Sequence, residues 1–548
     1  MKQLSGLDAA FLYLETPEMP MHVGSLHLYE RPAGARGDFA KAVRKHIAAR
    51  MHLATVFTRR LASMPLNLAA PVWVDADEVD LEYHVRQHRL PRPGSPAQLE
   101  ACVGRLHSTL MDRSRPLWEF HVIEGLKDGH IGVYAKVHHA AIDGQAGVAL
   151  ANAILDLSPV PREVPPPKRR PARAAPTTRA LLGTAVSRQL SQYARLVGLL
   201  PQAARAARDL AGRALEERKR GDADRARNWQ LGPRTSLNTS IGGARAFATA
   251  SMPLADIRAI GHAFGASVND VVLALCAGAL RGHLEQHGEL PDKPLIAAVP
   301  VSLRAAGDAT SNNQASMTLV NLHTDIADPV QRLAAIVAST GAMKEQLEHT
   351  RNVLPTDFPT LGAPWMIGGL AALYGRAHLA ERLPTVANVA ISNVPGPQVP
   401  LYMAGARMLT YHPVSIVVHG IALNITVESY NGSMEFGFTA CAKALPDLRT
   451  LAVRTTRAFA ELLKHASANE AGTAAQAKGT PAGEAKTSRR RAPANAGTMP
   501  EPPARRGAAP RKRSKVAASK VAASKVATSK VAKTGTATTA KTRRTPSV

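Results

Sequence analysis

Ile131-Gly-Val-Tyr-Ala-Lys-Val137-His138-His139-Ala-Ala-Ile-Asp143-Gly144 is the stretch on which the reading of this chain turns. Ile131 to Val137, rich in β-branched and aromatic side chains, reads as a strand, and the pattern from Gln145 to Leu157 reads as a helix. The two histidines therefore occupy a strand-loop-helix junction. Successive side chains at a strand end point to opposite sides, so one imidazole can face a cavity while the other is held by the structure.

Three chemistries use histidine in such a place. Adjacent His138 and His139 cannot readily ligate one ion, and neither an H-E-x-x-H pattern nor a third ligand at zinc spacing accompanies them, so no metal is expected at the pair. A serine hydrolase needs a G-x-S-x-G nucleophile elbow, which the sequence lacks. General base catalysis needs only a neutral imidazole, whose unperturbed pKa near 6.5 suits removal of a proton from a hydroxyl attacking a carbonyl. His139 fits that work, and a buried structural pair is the alternative. Asp143 either caps the following helix or pairs with a distant arginine to hold the loop, and Gly144 permits a tight turn there.

Outward from the junction, the chain of 548 residues is long enough for two lobes and accessory segments. Its apolar share of 45%, with few aromatics, suits helices and strands packed in an ordinary interior and excludes a fibrous or wholly disordered chain. Cys102, Cys276 and Cys441 are widely spaced without C-x-x-C pairing, which implies a reducing compartment. Met1 to Leu14 carries Asp8 and lacks a basic start and apolar run, so no signal peptide is expected and residence is expected to be cytoplasmic. The most apolar window, Gly362 to Gly375, falls short of the roughly 18 residues a spanning helix needs.

The organisation divides into an N-terminal lobe over 1–158, a linker region over 159–234, a C-terminal lobe over 235–465 and a tail over 466–548. Ser158 to Thr178 is rich in Pro and Arg and reads as an exposed linker. After it, Leu182, Val186, Leu190, Tyr193, Val197 and Leu200 recur at helical spacing with Arg188 and Arg195 opposite. This basic amphipathic helix either lies on an anionic lipid surface or packs on the second lobe. In the second lobe, Ala422 to Tyr430 and Ser433 to Ala440 alternate as a hairpin around Asn431-Gly432, a pair suited to a type I′ turn.

The tail holds 18 Lys and Arg against 3 Asp and Glu, so +15 of the net +26 resides there. It repeats Ser-Lys-Val-Ala at Lys515, Lys520, Lys525 and Lys530, matches no helix or strand period, and is expected to be disordered. Its charge either binds polyanions nonspecifically or is simply solvated.

His138-His139-Ala-Ala-Ile-Asp143-Gly144 resembles the HHxxxDG signature of the CoA-dependent acyltransferase superfamily, and the surrounding chain resembles the bacterial wax ester synthase/diacylglycerol acyltransferase family. Further elements agree in order over residues 1 to about 465. They are Leu7-Asp8-Ala9-Ala10-Phe11, Pro20-Met21-His22-Val23-Gly24, Pro116-Leu117-Trp118, Asn269-Asp270-Val271-Val272, Pro300-Val301-Ser302-Leu303-Arg304 and Ser392-Asn393-Val394-Pro395-Gly396-Pro397. The specificity lies in the series, and the repetitive tail has no place in the pattern.

The resemblance implies a mixed α/β (α+β) fold of two lobes related to chloramphenicol acetyltransferase, with the active site in a tunnel between them. It implies an O-acyltransferase that carries a fatty acyl group from acyl-CoA to diacylglycerol or a long-chain alcohol, with no cofactor beyond the acyl-CoA co-substrate. His139 is then the general base, His138 its support, and Asp143 an orienting group for which Arg304 is the candidate partner. Asn269 and Asp270 either cap the helix they open or support the site. Trp118 either packs or lines an acyl channel, and Pro395 and Gly396 shape a loop. An apolar acceptor implies peripheral association with the inner membrane or lipid bodies. Two other functions use the same features: a condensation-type acyltransferase fed by a carrier protein, and a non-catalytic lipid-body-binding protein.

Overall fold

The strand expected over Ile131 to Val137 forms as Ile131–His138, and it is fully buried. In the computed structural model the described residues are 2–4, 6–31, 37–62, 71–142, 144–166, 231–302, 315–350, 377 and 379–478. Asp143, Arg304, the basic amphipathic stretch 182–200, the window 362–375 and the tail beyond Lys478 lie outside them.

The strands run β1 (Lys2–Gln3), β2 (His22–Glu30), β3 (Arg59–Ala62), β4 (Val72–Asp75), β5 (Val85–Arg89), β6 (Trp118–Glu124), β7 (Ile131–His138), β8 (Arg245–Pro253), β9 (Ile296–Ser302), β10 (Ala315–Asn321), β11 (Val389–Val394), β12 (Tyr402–Met403), β13 (Ala406–Val414), β14 (Leu423–Tyr430) and β15 (Ser433–Cys441). The helices used below are α1 (Gly6–Leu14), α2 (Phe39–Ala48), α3 (Leu81–His84), α4 (Pro96–Ser108), α5 (Gly144–Ile154), α6 (Leu254–Phe264), α7 (Val268–Gln286), α8 (Pro329–Thr350) and α9 (Leu448–Lys478). This is a mixed α/β fold built on two six-stranded sheets.

The first sheet has the order β12-β13-β2-β7-β6-β5, the second β10-β9-β11-β14-β15-β8, and a small third sheet β1-β4-β3. Strand β7 is antiparallel to β2 on one side and β6 on the other. Leu423, Ile425 and Val427 of β14 and Met434, Phe436 and Phe438 of β15 turn to one core with α6, α7 and α9. Burying each such side chain is worth roughly 1.5–3 kcal/mol, so this layer anchors the second half of the chain. The hairpin joining β14 and β15 turns at Asn431 (φ 44°) and Gly432 (φ 87°). Positive φ at both central residues is what a type I′ turn requires.

Strand β13 lies in the C-terminal half of the sequence yet pairs with β2 in the first sheet. It also presses on the open face of the second sheet. The His412 ring contacts the Phe436 carbonyl (3.3 Å), and Ser415 N donates to Thr439 Oγ1 (3.1 Å). A Cβ on Gly437 would stand 1.7 Å from the Pro413 carbonyl oxygen, so only glycine lets the two strands cross this closely. On another side α4 crosses to β8, where Glu100 accepts from Thr249 N (3.0 Å) and pairs with Arg449.

Two helix ends differ from expectation. The helix after the histidines stops at Ile154, not Leu157. Asp156 leaves it to exchange backbone hydrogen bonds with Tyr402, and its buried carboxylate receives Arg50 (3.1 Å) and Arg162 (3.3 Å). At the other end α9 continues to Lys478, past the boundary expected at His465. That segment is rich in alanine, the strongest helix former, and Asn469 Nδ2 ties it to the Ala263 carbonyl (2.9 Å).

No single helix among the described residues is long and apolar enough to cross a membrane. Together α6 and α7 reach that length and apolarity, but they meet at 97° and supply the core of the second sheet. The three cysteines are free and buried.

Candidate active site

Both main-chain N–H groups of the histidine pair are tied to the residues that lead into the two neighbouring strands. His138 N donates to the Leu117 carbonyl (3.1 Å) and His139 N to the Met21 carbonyl (2.9 Å). Leu117 belongs to Pro116-Leu117-Trp118 and Met21 to Pro20-Met21-His22, so two of the family-like elements serve as the rails that hold the third. The chain then makes one short 3₁₀ turn, His139–Ala141, before α5 opens at Gly144.

The two rings part as alternation requires. His138 is fully buried, and its Nδ1 accepts from Ala140 N (3.0 Å). Nε2 then carries the proton and faces Glu15 Oε1 at 3.2 Å. Glu15, just past the end of α1, is 2% exposed and also accepts from Met21 N (3.1 Å) and from Arg113 (2.6 Å). Burial pushes the Glu15 carboxyl up, but His138, Arg113 and the Met21 amide outweigh it and hold its pKa at about 2. His138 is thus clamped by a permanent carboxylate.

His139 faces away from that clamp. Its ring stacks on Phe11 of α1, with centroids 3.9 Å apart and planes 15° from parallel. Nδ1 is buried and makes no hydrogen bond among the described residues. Burial brings its pKa down to about 4, opposed by its own carbonyl and helped by His138. The imidazole is therefore neutral at pH 7, and no carboxylate among the described residues pairs with it.

Around this junction, His22 approaches the His107 carbonyl (2.6 Å), and His107 bonds the Tyr134 hydroxyl (2.6 Å) and the Ser415 carbonyl (2.9 Å). Lys136, also buried, donates to the Leu106 and Thr109 carbonyls and pairs with Glu119 at 2.9 Å. These bonds lash the end of α4 to β7 and to the segment after β13. Between the two sheets lies a second polar layer, with Ser25 on His27 (2.7 Å) and His412 beside Glu435 (3.4 Å). Burial lowers His27 to about 3 and His412 to about 4, and raises Glu428 to about 8.

Trp118, Asp270 and Gly396 are held by partners of their own. Trp118 has 0% exposure, stacks on His84 at 4.2 Å, meets Phe57 edge-on and donates its indole N–H to the Phe57 carbonyl (3.1 Å). It is part of the core of the first sheet. Asp270 is the N3 residue of a capping box with Ser267, and its other oxygen accepts from Thr340 of α8 (2.7 Å). Its neighbour Asn269 occupies the first turn of α7. Gly396 accepts no side chain, because a Cβ would meet the Ser429 carbonyl at 2.3 Å. Gly144 opens α5, while Asp143 and Arg304 are outside the described residues.

Sequence reasoning missed Glu15 and Phe11 as partners of the two histidines. Phe11 ends the quoted Leu7–Phe11 element and stacks on His139, and Glu15 follows four residues later, just past the end of α1, to face His138. That spacing was the available signal.

A histidine pair at the end of a central strand, one ring beside a carboxylate and one neutral, offers a proton acceptor. The comparisons with known proteins say which class of reaction it belongs to. The wax ester synthase/diacylglycerol acyltransferase catalytic domain matches residues 4–272, and the WS/DGAT C-terminal domain matches residues 311–463. A putative diacylglycerol O-acyltransferase of Mycobacterium tuberculosis is 39% identical over 460 residues, covering 84% of this chain and 99% of that one. A probable diacylglycerol O-acyltransferase of the same organism is 37% identical over 453 residues, covering 81% and 95%. Among solved structures, the wax ester synthase/diacylglycerol acyltransferase from Marinobacter aquaeolei VT8 matches with TM-score 0.61 and 33% identity, covering 85% of this chain and all of that one. The chain belongs to the wax ester synthase/diacylglycerol acyltransferase family, and it is an acyltransferase.

Proposed function

We propose that the chain transfers a fatty acyl group from acyl-CoA to the hydroxyl of diacylglycerol, of a long-chain alcohol, or of both, with His139 as general base. The neutral imidazole takes the hydroxyl proton as that oxygen attacks the thioester carbonyl. The tetrahedral intermediate collapses with cleavage of the C–S bond, and the imidazolium returns the proton to the departing sulfur. The products are an ester and free CoA, and the scheme uses no redox cofactor or metal. Such a base contributes about 10²- to 10⁴-fold, with the remainder coming from positioning two large substrates.

The observation that carries this reading is the division of labour in the pair. His138 is committed to Glu15 at 3.2 Å, whereas His139 is neutral and stands free of any carboxylate among the described residues. In this scheme Asp143 orients the loop through Arg304, and the substrates meet in a tunnel between the lobes. The enzyme works at the cytoplasmic face of the inner membrane or on lipid bodies, bound from the side. A net charge of +26 and an apolar acceptor support that placement, and the basic tail adds nonspecific attraction to polyanions.

The test incubates purified protein with palmitoyl-CoA and either hexadecanol or dioleoylglycerol, following CoA release and lipid product. Ester is expected with at least one acceptor, and His139→Gln is expected to reduce turnover by at least about 100-fold. No ester with either acceptor, or unchanged turnover in a folded His139→Gln sample, overturns the reading.

A further inference from the structure

His283 and His287 stand one turn apart at the C-terminal end of α7, and Asp447 lies immediately before α9. One ring nitrogen of each histidine and an Asp447 oxygen lie within 4.8 Å of one another, with Asp447 Oδ2 4.0 Å from His283 Nδ1 and 3.8 Å from His287 Nε2. We propose that these three side chains form a binding site for a divalent transition-metal ion of the zinc type, clamping the end of α7 to the start of α9.

Four observations support it. The His283 side chain is only 6% exposed, yet its Nδ1 makes no hydrogen bond among the described residues. A buried ring nitrogen aimed at a carboxylate but 4.0 Å from it is too distant for a hydrogen bond and well placed for a shared ion. His287 bonds its Nδ1 to the His283 carbonyl (2.8 Å), which puts the proton on Nδ1 and leaves the Nε2 lone pair directed at Asp447, 3.8 Å away. That outer bond is the one metal-binding histidines ordinarily make. Finally, Asp447 is 37% exposed and His287 41%, so an ion can enter and solvent can fill a fourth position.

The dimensions fit with a small contraction. Metal–nitrogen and metal–oxygen bonds of about 2.0–2.2 Å in a tetrahedron place ligand atoms roughly 3.3–3.5 Å apart, whereas here they stand 3.8 Å, 4.0 Å and at most 4.8 Å apart. Rotation of the two exposed side chains closes that gap. The electrostatics also favour a cation. The helix C-terminus contributes partial negative charge, and Glu289 and Asp447 add to it, while Arg454 opposes them. The absence of metal spacing around His138 and His139 does not bear on this cluster, because its third ligand comes from a distant part of the chain.

The site is tested with the full chain stripped by EDTA and then titrated with Zn²⁺ or Co²⁺. Wild-type protein is expected to bind with a Tm rise of roughly 2–5 °C at saturating metal and to give visible Co²⁺ bands. His287→Gln and Asp447→Asn, both at part-exposed positions, are each expected to weaken binding by at least about tenfold and to remove the Tm rise. Their metal-free Tm stays close to wild type and confirms folding. Equal affinity, stoichiometry and Tm shift in wild type and both variants, or no metal binding by wild type, overturns the proposal.

Discussion

Phe11 and His139 stack face to face at 3.9 Å, and this contact joins the first helix of the chain to the imidazole proposed as general base. The stack covers one face of the imidazole, whose burial brings its pKa down to about 4. Aromatic contacts of this kind are worth about 0.5–1.5 kcal/mol beyond area burial.

Removing the stack should reduce both catalysis and stability. Phe11→Leu is expected to lower kcat/KM by roughly 3- to 10-fold and to cost about 0.5–1.5 kcal/mol in urea unfolding, and Phe11→Tyr to retain activity. Steady-state kinetics on folded variants decides it. Equal activity in Phe11→Leu would mean that the ring is not what orients His139.

The pH dependence follows from burial. With a pKa of about 4 in the folded enzyme, His139 is deprotonated throughout the neutral range. A profile of kcat/KM should stay level from pH 8 down to about 5 and fall tenfold per unit below about 4, if no other group intervenes. A break at pH 6.5 would show that the ring is solvated in the free enzyme.

Glu15 should matter for stability as well as for the site. Glu15→Gln leaves His138 and Arg113 without their carboxylate and is expected to cost about 2–4 kcal/mol in urea unfolding. Its folded pKa of about 2 lies below the unfolded value. The stabilisation is thus present above about pH 4.5 and is lost as pH falls toward 2, so the gap between wild type and variant should narrow in acid. A double mutant with His138→Gln should lose less than the sum of the single losses.

Gly437→Ala tests the crossing of the sheets. Its Cβ would fall 1.7 Å from the Pro413 carbonyl oxygen, and the atoms it meets are all backbone of Pro413, which leaves little room to relax. A loss of about 2–4 kcal/mol is expected, measured by chemical unfolding. A variant as stable as wild type would show that β13 and β15 can separate freely.

Much of the local structure was legible in the residues. The strand Ile131–His138, the hairpin around Asn431-Gly432 and the junction carrying the histidine pair all follow from periodicity and turn chemistry, which act over a few residues. Opposite orientation of His138 and His139 follows from strand alternation alone. Where long-range pairing competes with local pattern, the reading stopped. Helix α5 ends at Ile154 because Asp156 pairs with Tyr402, and nothing near Asp156 in sequence announces that partner.

From its residues alone, then, this protein's strand-loop-helix junction, its hairpin and its family-like series of elements could be read, since each depends on neighbours in the chain. Only the tertiary structure decided that β13 joins the first sheet, that Glu15 clamps His138 and Phe11 covers His139, and that Asp447 approaches His283 and His287. Those contacts join segments far apart in sequence, and their choice rests on which buried faces fit one another, a property of the whole packed core that no local period records.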